Sequence, residues 1–379
     1  MRDFHLPGRS PVFAANGMCA TSHPLAAKVA VQTLESGGNA VDAAIAAAVL
    51  LGICEPQMTG IGGDCFVLLK PAGEDRVVAL NGSGRAPAAL SAAEMRGRGL
   101  AAVPSSGPDS VTVPGAIDAF CRLSADWGRA GLAASLAPAI RYAEEGVPVA
   151  PRTAFDWHEA EAALTGAARR HYLLNGAAPR EGQVFRAPGQ AEVLRRIARD
   201  GRAAFYEGEV AADMVDSLRA LGGVHSLEDF AATACDYTEP VSGHYKGWEL
   251  VEHPPNGQGA TAILMANILA RFDLPAMYPL GVERAHVEAE AAKLAYDARN
   301  RFVADAGHTT RLAHMLAPET AERLAALIDP KRAMEAPAKL SEAVHRETVY
   351  LTVVDKDRMI VSMIYSVFHS FGSGLASEK

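Results

Sequence analysis

Thirteen residues from Ala40 to Gly52 admit a single charge, Asp42, and are otherwise small or apolar. A helix that is apolar on nearly every side has no face to give to water, so other elements must enclose it. That requirement excludes an extended or thin architecture and asks for a layered one. Asn39 stands where the helix needs an N-cap, and Gly37-Gly38 stop a preceding helix over Val29–Ser36. Extended to Cys54, the same run is still too short to span a bilayer. A chain of 379 residues has room for two to three domains of roughly 150 residues, or for one large α/β unit. It can bury its core without metals or staples. Forty-four acids against 36 bases give a net charge of −8, which offers no basic field to a nucleic acid. With 49% hydrophobic and 21% charged residues, low-complexity disorder is excluded as well.

Around the enclosed helix the pattern alternates between short strands and longer helices. The glycine-dense turn from Glu55 to Asp64 leads into a strand over Cys65–Lys70, which pairs with Val77–Leu80. Pro114 to Glu145 has a helical period, broken at Trp127-Gly128 and at Pro138. Arg152 to Ala232 reads as a surface layer of polar-faced helices, and Tyr245 to His253 alternates as one strand. A loop from Pro254 to Gly259 precedes a helix from near Ala260, a second long helix over Arg284–Arg301 and a polar linker over Ser341–Glu347. The last segment differs in kind. Thr348–Val354 and Met359–Val367 are dense in β-branched residues, and Asp355–Arg358 between them supply turn chemistry, which is a hairpin signal. A turn centred near Asp357 sets Thr348 opposite Tyr365 or Ser366.

Few residues point to chemistry by pattern alone. The five cysteines (Cys19, Cys54, Cys65, Cys121, Cys235) form no CxxC pair, so neither a zinc site nor a disulfide framework is expected, and they read as small hydrophobes in a reducing compartment. Met1–Asn16 lacks the apolar core of a signal peptide, so a cytoplasmic protein is expected. His286 and Glu290 lie four apart on one helix and read as a solvated face, not as metal ligands. Gly60-Ile61-Gly62-Gly63 lacks the Lys-Ser/Thr of a phosphate loop and leads into a strand. It is either a tight turn or a row of backbone donors facing a ligand. No G-x-S-x-G elbow is present. Thr348, on pattern alone, is a structural threonine at the start of a strand.

Taken in order, several blocks resemble the γ-glutamyltransferase family of N-terminal-nucleophile hydrolases. They are Gly37-Gly38-Asn39-Ala40-Val41-Asp42-Ala43-Ala44, Glu55-Pro56, Gly60-Ile61-Gly62-Gly63, Val113-Pro114-Gly115 and Leu136-Ala137-Pro138-Ala139-Ile140 through Glu145-Gly146. Gly222-Gly223, Glu228-Asp229-Phe230, Pro254-Pro255-Asn256-Gly257-Gln258-Gly259 and Glu290 through Tyr296 continue the resemblance. Glu347-Thr348-Val349-Tyr350 with Val353 through Asp357 complete it. It implies an α+β fold, the αββα sandwich, here incomplete at the C-terminus. Residues 1–347 would be the large-subunit region and 348–379 the start of the small-subunit region, both parts of one composite domain.

The resemblance further implies a precursor that cuts itself between Glu347 and Thr348. Thr348 would then be the nucleophile toward a γ-glutamyl amide such as glutathione. Ser366 aligns with the second hydroxyl of the family site, and Arg85, from a displaced position, would be the residue for the substrate carboxylate. No metal and no organic cofactor is implied. The partners would be a small-molecule amide and the two subunits of one precursor, with a higher oligomer possible and neither nucleic acid nor membrane involved. Three departures stand out. Arg85 lies two positions late, leaving Ser83 in the aligned place. Phe368 replaces the family's asparagine. The chain stops at Lys379, before the acidic group for the substrate's amino end and before the Gly-Gly oxyanion hole, so it reads as a fragment or an incomplete gene model. The alternatives are a related amidase resembling oxamate amidohydrolase or cephalosporin acylase, and a non-catalytic remnant if the gene ends there.

Overall fold

The computed structural model describes residues 11–335 and 348–379; the polar linker and Glu347 lie outside the described residues. The described residues form ten strands: β1 (Gly17–Ala20), β2 (Asp64–Lys70), β3 (Val78–Gly82), β4 (Val147–Pro148), β5 (Val184–Phe185), β6 (Asp236–Thr238), β7 (Val241–Tyr245), β8 (Trp248–Glu252), β9 (Val349–Asp355) and β10 (Ile360–Ser366). Six of them make one antiparallel sheet in the order β1-β9-β10-β2-β3-β6. The C-terminal hairpin therefore occupies the middle of the sheet, between strands drawn from the first hundred residues.

Alternation decides the two faces of the sheet. Val349, Leu351 and Val353 of β9, Val361, Met363 and Tyr365 of β10, and Cys65, Val67 and Leu69 of β2 point inward and are buried. They meet the enclosed helix, α2 (Ala40–Cys54), in which every residue is buried, and behind it α1 (Pro24–Glu35). The opposite face carries Tyr350 and Ile364, paired in register and both exposed, with a hydrogen-bonded Tyr350–Ser362 contact beside them. Among the described residues two small sheets, β4–β5 and β7–β8, accompany this one and its helical cover.

The N-terminus of α2 is fastened on two sides. Asn39 and Asp42 form a capping box, and the Asp42 carboxylate also accepts the N–H groups of Arg129 and Ala130. Asp355, at the end of β9, accepts the Ala40 N–H as well as those of Asp357 and Met359 in the hairpin turn. Two carboxylates at a helix N-terminus match its partial positive charge. The buried helix and the central hairpin are thereby joined by one side chain.

Two expectations are corrected. Pro138 does not break its helix, which runs unbroken over Leu132–Glu145. The lost hydrogen bond is offset by the packing of Leu136, Ala139 and Ala143 into the main core. Tyr245–His253 is not one strand. Lys246 and Gly247 both take positive φ (49° and 87°) and turn the chain, so β7 and β8 form a two-stranded hairpin of their own. A second core, distinct from the first, is built from Ala260, Leu264 and Ile268, Ala291, Leu294 and Ala298, and Met315. Among the described residues no helix is long and apolar enough to cross a membrane.

Candidate active site

Thr348 precedes β9, and Ser366 ends β10. Tyr365 pairs with Val349, so the next step in the ladder sets Ser366 across from Thr348, the second of the two registers expected. Their hydroxyl oxygens, Oγ1 and Oγ, are 3.0 Å apart, a hydrogen bond. The Phe368 N–H also donates to Ser366 Oγ, at 2.9 Å. Either hydroxyl can be the donor of this bond; the orientation that suits a nucleophile is Ser366 donating to Thr348 Oγ1, with the threonine's own proton directed to a base.

Phe368 holds φ at 77°, a region that large side chains seldom adopt. Its ring is largely exposed, at 62%. What this position contributes to the pair is its backbone N–H. A sequence reading attends to side chains and could not find that contribution; strain at a residue adjoining a site is its structural signature.

The register continues across the sheet. Ser366 pairs with Asp64, and the β2–β3 ladder, which sets Cys65 against Gly82, brings Ser83 beside Asp64 at its next step. Thr348, Ser366, Asp64 and Ser83 thus form one polar row over four neighbouring strands, on the face turned away from α2. Gly63 makes the row possible: a Cβ there would fall 2.2 Å from the Ser366 carbonyl oxygen. Asp64 Oδ1 accepts the N–H groups of Gly84 (2.9 Å) and Gly115 (3.3 Å). Burial pushes this carboxyl up to about 6, against the lowering effect of those two bonds.

Ser83 is fully engaged. Its hydroxyl donates to Asn81 Oδ1 at 2.7 Å and accepts from Asn256 Nδ2 at 2.9 Å, while Asn81 Nδ2 donates back to Asn256 at 2.8 Å. The Pro254–Gly259 loop is therefore a wall of this site, joined to the segment where the sequence departs from the family arrangement. Arg85 follows. Its backbone carbonyl accepts the Val113 N–H at 2.9 Å, its side chain is exposed, and among the described residues no carboxylate or carbonyl is paired with its guanidinium. The structure brings Thr348 and Ser366 into contact, and places Arg85 just past β3, three strands from β9.

The glycine turn resolves as a tight turn, closed by Gly63 N–H to Gly60 carbonyl at 2.9 Å. It also forms one wall of a cavity of about 520 Å³ bordered by Asp64, Ser366 and Phe368, with Tyr172, Phe185 and Met214 opposite. Neither Thr348 nor Arg85 lines that cavity. His286 and Glu290 are occupied structurally, His286 by the Asp329 carbonyl and Glu290 by Lys293 and the Met334 N–H. Among the described residues no three side chains are grouped to hold a metal ion. All five cysteines are free thiols, with Cys54 and Cys65 buried and the others half-buried.

The family model described as gamma-glutamyltranspeptidase matches residues 26–379. The chain is 34% identical over 373 residues to the glutathione hydrolase-like YwrD proenzyme of Bacillus subtilis, covering 97% of this chain and 69% of that protein. It is 32% identical over 377 residues to the oxamate amidohydrolase proenzyme of Klebsiella pneumoniae, covering 96% and 69%. The crystal structure of cephalosporin acylase from Bacillus halodurans superposes with a TM-score of 0.88 at 36% identity, over 99% of this chain and 70% of that one.

Proposed function

The chain belongs to the γ-glutamyltranspeptidase family of N-terminal-nucleophile enzymes, and from that premise we propose that it is a self-processing amidase acting on γ-glutamyl amides such as glutathione. The observation that carries this reading is the 3.0 Å contact between Thr348 Oγ1 and Ser366 Oγ at the start of a central strand.

In the first reaction Thr348 Oγ attacks the carbonyl carbon of Glu347, and the peptide C–N bond breaks to leave an ester. The nitrogen of that bond takes the hydroxyl proton and becomes the Thr348 α-amine, and water then opens the ester, freeing the Glu347 carboxylate and restoring the Thr348 hydroxyl. An α-amine has a pKa of about 7.7–8.0, so it can take the hydroxyl proton near neutrality. In the second reaction the same oxygen attacks the substrate amide, and the proton follows the departing amine. The acyl group rests on Thr348 as an ester until water or an acceptor amine removes it. Ser366, donating to Thr348 Oγ1, orients a lone pair and leaves the nucleophile's own proton facing the base. Arg85 supplies the cation for a substrate carboxylate.

A second reading has its own support. Ser83 stands where the family has its arginine and is closed into a network with Asn81 and Asn256, and Phe368 replaces the asparagine. Both changes favour an amide other than one with a free amino-acid head, in line with relatives named for oxamate hydrolysis and cephalosporin acylation.

Intact-mass spectrometry with N-terminal sequencing tests the processing. Wild-type protein should yield a chain beginning at Thr348, and Thr348→Ala should yield neither cleavage nor amide turnover. A mutant that still splits at this bond would overturn the nucleophile assignment. A panel of glutathione, oxamate and glutaryl amides then decides between the two substrate readings.

A further inference from the structure

We propose that Asp64 is a positioning residue for substrate binding: its carboxylate pins the Gly84 and Gly115 amides and so sets where Arg85 stands relative to the Thr348–Ser366 pair. The proposal rests on the reading of Thr348, Ser366 and Arg85 given above, and adds a residue which that reading does not use.

The 83–85 segment is held residue by residue. Each of its residues is tied by a different bond: Ser83 to Asn81 and Asn256, Gly84 to Asp64, and Arg85 through its carbonyl to Val113. The guanidinium at the end of this segment makes no bond to a described residue, so the backbone is what fixes the point from which this side chain reaches out. Gly84 is pressed against the Val113 carbonyl so closely that a Cβ would fall 1.6 Å from the oxygen. No side chain of residue 84 can therefore help to hold the segment. Asp64 does so from the neighbouring strand.

The same oxygen also reaches the Val113-Pro114-Gly115 turn, sharing the Gly115 N–H (3.3 Å) with the Gly63 carbonyl (3.2 Å). One atom thus gathers two loops, while the residue that carries it pairs in register with Ser366. Its strand neighbour Gly63 lies against the Ser366 backbone. A shift of Asp64 would move the substrate cation and the nucleophile pair relative to each other, which is the distance that substrate binding reads. The carboxylate is also retained at a cost, because burial works against its ionisation.

Only Oδ1 makes these two bonds, so an amide oxygen can replace it. Asp64→Ala should raise KM for a carboxylate-bearing amide at least tenfold, keep kcat within about threefold, and leave self-cleavage intact. Asp64→Asn should bring KM back to within threefold of wild type. In an Arg85→Ala background, Asp64→Ala should add less than twofold, because it acts through the residue already removed. Hydrogen exchange measures the pin without reference to activity: peptides covering 83–90 should exchange at least tenfold faster in Asp64→Ala and near normally in Asp64→Asn, while those covering 113–117, which keep the Gly63 carbonyl as acceptor, should change less. If Asp64→Ala does not accumulate, Asp64→Ser, too short to reach both amides, is measured by the same criteria. Unchanged KM and exchange in Asp64→Ala, an Asp64→Asn variant as impaired as Asp64→Ala, or independent multiplication of the Asp64 and Arg85 effects would each overturn the proposal. Amide turnover that survives Thr348→Ala would instead overturn the underlying reading, while the exchange measurement still decides whether Asp64 holds the 83–85 segment.

Discussion

A hydroxyl becomes a useful nucleophile only when its proton and its lone pairs are directed, and here two neighbours do the directing. The Phe368 N–H occupies Ser366, and Ser366 turns toward Thr348. Ser366→Ala should lower kcat by one to two orders of magnitude, the loss of a positioned hydrogen bond of about 1.5–3 kcal/mol. Steady-state kinetics on the processed enzyme check this, and unchanged kinetics would remove Ser366 from the mechanism. Asp64 makes a prediction about stability. Its folded-state pKa of about 6 lies above the usual 3.8, so the folded protein favours the protonated acid. The contribution of this group is intact below the unfolded pKa and is lost as pH rises through about 6. Asp64→Asn should therefore gain stability over wild type between pH 5 and 8, by roughly 1–3 kcal/mol. Denaturant midpoints measured across that range should diverge, and parallel midpoints would contradict it. The Thr348–Ser366 pairing was legible in part: the hairpin narrowed the partner of Thr348 to Tyr365 or Ser366, and the family resemblance pointed to Ser366. Asp64 was not legible as a holder of Gly84 and Gly115, because those contacts join segments with no local signal in common.

At the scale of elements, the site depends on how closely the glycine turn before β2 can approach the end of β10. Gly63→Ala would place a methyl carbon 2.2 Å from the Ser366 carbonyl oxygen, so the strand end must move. Activity and self-cleavage should both fall at least tenfold, while β10 stays paired with β9 and β2. Comparing N-terminal processing with circular dichroism checks this, and normal processing would mean that the seam is looser than the geometry indicates. The expected elements were mostly found near their expected bounds. Asn39 caps α2 as its side chain predicts, with Asp42 completing the box. Pro138 and the 245–253 segment failed for opposite reasons. Burial of one helix face outweighed a local breaker at Pro138. At Lys246-Gly247 the turn needed a lysine at positive φ, which a propensity reading does not expect; the glycine beside it was the available signal.

Over the whole molecule, the described residues bury two separate cores. The larger joins α2, the six-stranded sheet and the helices through residue 230; the smaller joins the helices over Gly259–Leu269, Val282–Phe302 and Leu312–Leu316. They meet at polar and aromatic contacts, Asn81 with Asn256 and Phe66 with His253, whose ring centroids are 4.7 Å apart. Leu264 is fully buried in the smaller core. Leu264→Ala should destabilise that core by about 2–5 kcal/mol, with accelerated hydrogen exchange concentrated between residues 241 and 335. Uniform acceleration across the chain would mean that the two cores unfold as one unit.

The sequence by itself determined the enclosed helix, the C-terminal hairpin to within one residue of register, and the family, because each is written in local pattern or in ordered blocks. Tertiary structure alone decided that Thr348, Ser366, Asp64 and Ser83 share one row, and that the Pro254–Gly259 loop closes on Ser83. It also decided that the segment bearing Arg85 is held from a neighbouring strand. Those relations follow from strand order in the sheet, where the C-terminal hairpin lies between β1 and β2. Strand order is set by which faces can be buried together, a property of the whole packing that no single stretch of sequence carries.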